Sequence, residues 1–206
     1  GLGDVYKRQS QSDRQMKEFQ KEFGVKTKFL VKCGIFDENK IHQNVNQPIQ
    51  VVYAGKLYCN RWKTLKMLAE AIYKVNNDYG RTMIQLNIYT ADDITKIQDR
   101  VLNDGVHSII HGCVPATELP SIYEKSDIVL HVESLDKKNR LLTQDSFSTK
   151  VIDCLASGCA VMALCWEGHA AYQYLKKMNA AITASSNEEI YLKVRKLVQN
   201  PKIVCK

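Results

Sequence analysis

From residue 49 onwards, short apolar runs alternate with longer segments in which apolar side chains recur every three or four residues. This alternation indicates βαβ units and predicts an α/β fold: a doubly wound, Rossmann-like parallel sheet with helices on both faces. The predicted strands are 49–54, 83–89, 106–110, 128–132, 160–164 and 180–183. The predicted helices are 62–76, 91–103, 117–125, 149–157, 169–178 and 187–199, with a long loop at 133–147.

The N-terminal quarter of the chain does not follow this alternation. Residues 1–9 show no periodicity, and we interpret them as a non-native tail. A helix at 12–23 and a strand at 26–33 are predicted next. We therefore expect residues 10–48 to be the remnant of a preceding domain with its linker, and residues 49–206 to form one domain.

One segment carries the most specific chemistry. A polar loop leads into the helix predicted at 149–157, and Gly158 suits the left-handed position that ends it. Free backbone amides and the helix dipole favour a phosphate at such a loop. Asp145 and Asp153 bracket the loop, and carboxylates there are better suited to accept hydrogen bonds from ribose or sugar hydroxyls. The segment therefore predicts a nucleotide-sugar pocket, whose loop residues are Ser146, Phe147, Ser148 and Thr149.

The same segment resembles the donor-binding signature of retaining glycosyltransferases with the GT-B fold, the group 1 kind. Their pattern is acidic-x-Phe-Gly, four residues, then acidic-Ala-x-Ala-x-Gly-x-Pro-Val. The matching residues here are Asp145, Phe147, Asp153, Ala156, Gly158 and Val161. The departures are Asp for Glu twice, Ser148 for Gly and Ala160 for Pro. Within the superfamily, the segment resembles a bacterial branch that makes surface polysaccharides. On this segment alone, an ordinary αβ unit with a capped helix stays open.

A second loop, after the first strand of the domain, carries cations beside a glycine. Gly55 permits a sharp exit from the strand, and a guanidinium such as that of Arg61 can hold a diphosphate with two parallel hydrogen bonds. The resemblance implies that Lys56 and Arg61 neutralise the leaving nucleoside diphosphate, with Lys63 a weaker candidate. Solvated loop charges are the alternative.

Two further strand ends contribute to the expected cleft. The resemblance implies that Val114 contacts the nucleobase, while His111 packs or orients its loop. Glu133 and Ser134 end a buried strand and are candidates for a supporting hydrogen-bond role. Asp127, at the start of that strand, is interpreted as structural.

Departure of a nucleoside diphosphate leaves negative charge on its β-phosphate, which fixed cations stabilise. We expect Arg61 and Lys150 to be the catalytic cations. Lysine is unfavourable near a helix N-terminus, so the position of Lys150 indicates a role other than helix stability. No Asp-x-Asp motif lies in a suitable place, so neither a metal nor a cofactor is expected. Asp145 would bind sugar hydroxyls and Asp153 the ribose diol. The resemblance implies retention at the anomeric carbon. A solvent-facing Lys150 is the alternative.

Composition narrows the class of protein. The 206 residues carry a formal net charge of +7, and no apolar run approaches the ~20 residues of a membrane span. The seven cysteines include no Cys-x-x-Cys pair, which predicts reduced thiols in the cytoplasm. Basic residues are dispersed, so nucleic acid is not an expected partner. An anionic donor, with peripheral contact to the inner face of the plasma membrane, better explains the charge.

The resemblance covers residues 49 to about 199 and implies an enzyme with a separate N-terminal acceptor domain. We therefore expect a fragment, inactive alone, in which residues 10–48 are the remnant of that domain and the C-terminus is incomplete. The expected function is transfer of a glycosyl group from a nucleotide-diphosphate sugar to a saccharide or lipid-linked acceptor. A sugar-nucleotide epimerase on the same fold and a non-catalytic nucleotide-binding α/β module are the alternatives.

Overall fold

A computed structural model describes residues 9–10, 13–24, 26–29, 44–144 and 146–205. In chain order the strands are β1 (Gln9–Ser10), β2 (Lys28–Phe29), β3 (Ile49–Ala54), β4 (Ile84–Tyr89), β5 (Ser108–Gly112), β6 (Ile128–Val132), β7 (Ala160–Leu164) and β8 (Ile182–Ala184). The last six form one all-parallel sheet in the order β5-β4-β3-β6-β7-β8. Because the order reverses between β3 and β6, the sheet is doubly wound, and the predicted fold class is confirmed.

The helices are α1 (Asp13–Phe23), α2 (Arg61–Tyr79), α3 (Lys96–Leu102), α4 (Leu119–Glu124), α5 (Lys137–Thr143), α6 (Lys150–Ala156), α7 (Ala170–Lys177) and α8 (Asn187–Gln199), followed by a 3-10 helix at Pro201–Cys205. None of the helices described here is long and apolar enough to cross a bilayer.

The largest departures from the prediction lie in two segments. The helix predicted at 91–103 begins only at Lys96, because Thr95 caps it by accepting a hydrogen bond from the Gln98 amide. The long loop predicted at 133–147 contains α5, which Asp136 caps by accepting from the Asn139 amide at 3.0 Å. In both segments, local side-chain capping decides where the helix begins.

Apolar side chains bury both faces of the sheet, as the near-continuous apolar strands predict. On one face, α2 and α8 cover the sheet with residues such as Leu65, Ile72 and Val194. On the other face, α6 and α7 contribute Val151 and Leu175. The interior of the sheet is therefore mostly apolar, and polar side chains gather at strand ends, in loops and in the first turns of helices.

The N-terminal segment contacts the loop after β7 and the end of α5. Helix α1 ends at Gly24, which has a φ of 64° and donates its amide hydrogen to the Gln20 carbonyl at 3.0 Å. Arg14 donates hydrogen bonds to Gly168 O and Gln144 Oε1 at 3.2 and 2.9 Å. Gln9, which the sequence assigns to a non-native tail, pairs with Lys28 of β2. Of the strand predicted at 26–33, residues 28 and 29 form β2, residues 26 and 27 are not in a strand, and residues 30–33 lie outside the described part of the chain.

Asp127 ties the segment before β3 to the sheet. Its buried carboxylate accepts hydrogen bonds from the Asn46 amide and side chain at 3.0 and 3.1 Å, and from the Gln50 amide at 2.7 Å. These charge-assisted bonds satisfy a carboxylate that is shielded from water. Asp127 is therefore structural: it accepts hydrogen bonds from N–H groups of Asn46, just before β3, and of Gln50, in β3.

We expect Asp127→Ala to lower the free energy of unfolding by about 3 kcal/mol, because three partly buried N–H donors lose their charged acceptor. Urea denaturation followed by circular dichroism measures the change. Asp78→Ala, on an exposed part of α2, is the matched control and should change stability by less than about 0.5 kcal/mol. Equal midpoints for the two variants would contradict the assigned role.

Candidate functional site

The carboxyl ends of β3 and β6 lie side by side where the strand order reverses, which is where doubly wound sheets bind ligands. A cleft of about 280 Å³ opens at this edge. Its lining includes four residues predicted from the sequence: Gly55, Lys56, Val114 and Lys150. Segments far apart in the chain therefore meet at one concave surface.

Lys150 directs its ammonium group against the backbone of Gly55. A Cβ atom added at Gly55 would lie 1.7 Å from Lys150 Nζ, so a residue with any side chain would displace the ammonium. The backbone of Gly55 does not have a positive φ. This corrects the expectation that Gly55 is needed for a sharp turn: its small size makes room for Lys150.

Lys150 is largely withdrawn from water. Nζ lies 4.9 Å from the centroid of the Tyr53 ring, and Tyr53 is itself buried. Burial lowers the pKa of the Lys150 amine, and the nearby Arg61 charge lowers it further. Within the part of the chain that the structure describes, no carboxylate lies within 4.0 Å of Nζ. Lys150 thus brings a partly desolvated cation to the cleft.

Arg61, the first residue of α2, is held by the carboxylate of Glu133. Its Nε and Nη2 donate to Oε2 and Oε1 of Glu133 at 3.0 and 2.8 Å, a two-point fork. Glu133 is only 2% exposed, and the guanidinium also lies 4.5 Å from the Tyr58 ring centroid. Glu133, expected to have a supporting hydrogen-bond role, therefore accepts two hydrogen bonds from Arg61.

The loop before α2 has a constrained backbone. Cys59 and Asn60 have φ values of 54° and 60°, in the left-handed region that non-glycine residues rarely adopt. Asn60 Nδ2 donates to Asp136 Oδ2 at 3.0 Å, and Ser134 Oγ donates to the same oxygen at 2.6 Å. The role of Asp136 was missed from the sequence. The signal for it was the Asp136-x-x-Asn139 spacing of a helix cap.

Hydrogen bonds from Ser134, Asn139 and Asn60 hold the pKa of Asp136 well below its usual range. Because the folded-state pKa is depressed, the stability that this anchor contributes is present above the unfolded pKa of about 3.9 and is lost as the pH falls further. The loop that carries Arg61 therefore stays anchored at neutral pH.

The loop before α6 does not form the side-chain helix cap that its polar residues suggest. Thr149 stands at the cap position with helical backbone angles and makes no side-chain cap. The Lys150 amide instead donates to Ser148 Oγ at 3.3 Å. Phe147 packs edge-on against Tyr174, with ring centroids 5.4 Å apart, and Ser146 is exposed.

Of the two carboxylates in the predicted motif, Asp153 lies among the described residues. Asp153 lies in the first turn of α6 and is exposed. Asp145 lies outside the described residues. Gly158 ends the helical segment with a φ of 82°, the left-handed conformation predicted for it.

Tyr89 lines one wall of the cleft, and His111 supports it from behind. His111 stacks on Tyr89 with ring centroids 4.6 Å apart and planes at 13°, and its Nε2 lies 2.8 Å from Asn87 Oδ1. Tyr89 and Val114 both line the cleft. His111 thus packs and orients this wall. Tyr89 was missed, and its signal was an aromatic residue at the last position of a predicted strand.

A buried cluster of His131, Cys165 and His169 lies on the same edge, with potential ligand atoms within 4.8 Å of one another. However, His169 Nδ1 accepts a hydrogen bond from the Ala171 amide at 3.2 Å. The proton of the neutral ring is then on Nε2, whereas a metal-bound histidine carries it on the nitrogen away from the metal. In this arrangement the donor set does not fit a metal.

A sequence model of the family described as glycosyl transferase-like matches residues 40–204. No curated protein gives a significant match. Among solved structures, a mutant of S. aureus TarM in complex with UDP and alpha-GlcNAc-glycerol superimposes with a TM-score of 0.64 at 14% identity, over 93% of this chain and 36% of that one. The pneumococcal O-GlcNAc transferase GtfA, in complex with UDP and GlcNAc, gives 0.61 at 14% identity, over 94% and 38%.

WaaG, a glycosyltransferase involved in lipopolysaccharide biosynthesis, gives a TM-score of 0.57 at 14% identity, over 95% of this chain and 54% of that one. At such identities the similarity shows the fold. The chain spans 36% to 54% of the length of these three structures. Because the family model covers most of the 206 residues, the chain belongs to the glycosyl transferase-like family.

Proposed function

We propose that this domain binds the nucleoside diphosphate of a nucleotide-sugar donor and serves transfer of the glycosyl group to a saccharide or lipid-linked acceptor. The observation that carries the proposal is the Lys150 ammonium, which is partly desolvated beside Gly55 and has no carboxylate partner among the described residues. A desolvated cation costs free energy unless an anion compensates it. A diphosphate in the cleft supplies that anion.

Lys150 and Arg61 stabilise the diphosphate as it leaves. Bond breaking at the anomeric carbon moves negative charge onto the β-phosphate, and fixed cations in a water-poor cleft stabilise this charge without reorganising. Lys56 at the rim and the amides of Ser148 and Thr149 supply further donors. Two fixed cations can perform the task that a divalent metal performs elsewhere, so we propose a metal-independent reaction. Retention at the anomeric carbon is proposed from the resemblance to retaining glycosyltransferases alone.

Other residues of the site would fix the rest of the donor. Val114 and the Tyr89 ring line the wall where a nucleobase can lie against an apolar surface. Exposed Asp153 can accept hydrogen bonds from the ribose diol. Asp145 remains a prediction for the sugar hydroxyls. Because the TarM and GtfA structures are complexes with UDP, uridine nucleotides are the first to test.

Isothermal titration calorimetry with UDP, GDP, ADP and their monophosphates tests the proposal. At least one diphosphate should bind about tenfold more tightly than its monophosphate, because the second phosphate gains a charge-assisted contact. Lys150→Met should abolish this preference. A folded chain that binds none of the three diphosphates would contradict the proposed function.

Gly55→Ala should weaken diphosphate binding about tenfold, because its methyl group pushes the Lys150 ammonium out of the cleft. The clashing atom is the flexible end of a side chain, so thermal unfolding should change little. In a Lys150→Met background the same substitution should cost nothing further. Equal losses in both backgrounds would show that Gly55 acts independently of Lys150.

Asp153→Ala should weaken binding of the nucleoside diphosphate by about 1–3 kcal/mol, as expected for loss of a charged acceptor at the ribose. The 2′,3′-dideoxynucleotide is the matched probe, since Asp153→Ala should not weaken its binding. Asp145→Ala should reduce affinity for the sugar-bearing donor more than for the free diphosphate. If both variants weaken both ligands equally, the two carboxylates are structural.

A further inference from the structure

We propose that Glu133 is a positioning residue, which holds Arg61 in the orientation that receives the diphosphate. The inference rests on the proposed function and extends it to a residue that does not itself contact the donor. It assigns a specific task to a carboxylate that electrostatics alone would keep away from an anion site.

The contact between the two side chains leaves Arg61 able to bind a ligand. A guanidinium has five N–H donors, and Glu133 accepts from Nε and Nη2. A phosphate can therefore bind other donors of the same guanidinium while the fork to Glu133 stays in place. The pairing fixes the plane of the guanidinium without consuming it.

Glu133 is itself rigidly held. Its carbonyl oxygen accepts from Thr64 Oγ1 at 2.9 Å, and its amide donates to Leu164 O at 2.9 Å. Thr64 lies one turn after Arg61 on α2, so two contacts attach the first turn of this helix to the end of β6. These hydrogen bonds fix the backbone of Glu133 to the central sheet and so limit the positions that its side chain can take.

A second contact restrains the chain just before Arg61. The Asn60 side chain is bound to Asp136, which fixes the left-handed backbone at Cys59 and Asn60. Strained backbone persists where the surroundings hold it, and such positions cluster at functional sites. Arg61 is thus fixed both through its backbone and through its side chain. Ligand binding therefore loses less conformational entropy than it would with a mobile arginine.

Charge alone predicts the opposite effect of Glu133 on binding. A carboxylate beside an anion site repels the anion, and a buried ion pair by itself is weak support for stability. If Glu133 only adds negative charge, its neutralisation strengthens diphosphate binding. If it positions Arg61, neutralisation weakens binding. The sign of the change therefore separates the two roles.

The experiment is a double-mutant cycle measured by calorimetry with the diphosphate that the wild-type chain binds best. Glu133→Gln should weaken binding about tenfold, as for loss of one charge-assisted contact. In an Arg61→Lys background, where no two-point fork can form, Glu133→Gln should leave binding unchanged or strengthen it. Glu70→Gln, which removes an exposed carboxylate from the same helix, is the matched control and should not alter binding.

Glu133→Asp is a second variant, in case Glu133→Gln does not fold. It keeps the negative charge but shortens the side chain, so the carboxylate reaches Arg61 less well. It should also weaken binding, by a similar factor, while thermal unfolding stays cooperative. Tighter or unchanged binding by Glu133→Gln, or wild-type binding by Glu133→Asp, would overturn this inference and leave the proposed function standing. A wild-type chain that binds no nucleoside diphosphate would overturn the proposed function and this inference with it.

Discussion

Pairing of β3 with β6 is the constraint on which the site depends. β3 pairs with β4 on one side and with β6 on the other, where Val51 and Val52 are in register with Ile128 and Val129. The two strands are parallel, so both chains leave the sheet at the same edge. The loops that carry Gly55 and Glu133 therefore start beside each other, although β4 and β5 intervene in the sequence.

The charges at this edge have different environments and therefore different tasks. Arg61 forms an ion pair with Glu133, which fixes its geometry. Lys150 has a depressed pKa because it is desolvated, and it lies close enough to Arg61 to feel that positive charge. In the proposed site an incoming diphosphate relieves the repulsion between the two cations.

The sequence predicted the fold well because strands buried on both faces are apolar throughout, which sets them apart from amphipathic helices. The bounds of β3, β6 and β7 agree with the prediction. Gly55, Lys56 and Val114 follow the ends of predicted strands, and Lys150 begins the helix after the long loop that follows another strand. The carboxyl ends of parallel strands share one edge of the sheet. Their meeting in one cleft is a consequence of parallel topology.

Other features could not be predicted because they depend on contacts between distant residues. Helix α5 was missed because Leu141 and Leu142 are 73% and 71% exposed, so the segment has no buried apolar stripe. The space that Gly55 provides is defined by Lys150, and the fork of Arg61 by Glu133. Only the folded chain brings these partners together.

A crystal structure with the best-binding nucleoside diphosphate tests the central claim most directly. The account predicts a phosphate oxygen within hydrogen-bond distance of Lys150 Nζ and another within that distance of Arg61, with the fork between Arg61 and Glu133 intact. A nucleotide bound elsewhere on the chain, or phosphates in this cleft that contact neither cation, would contradict it.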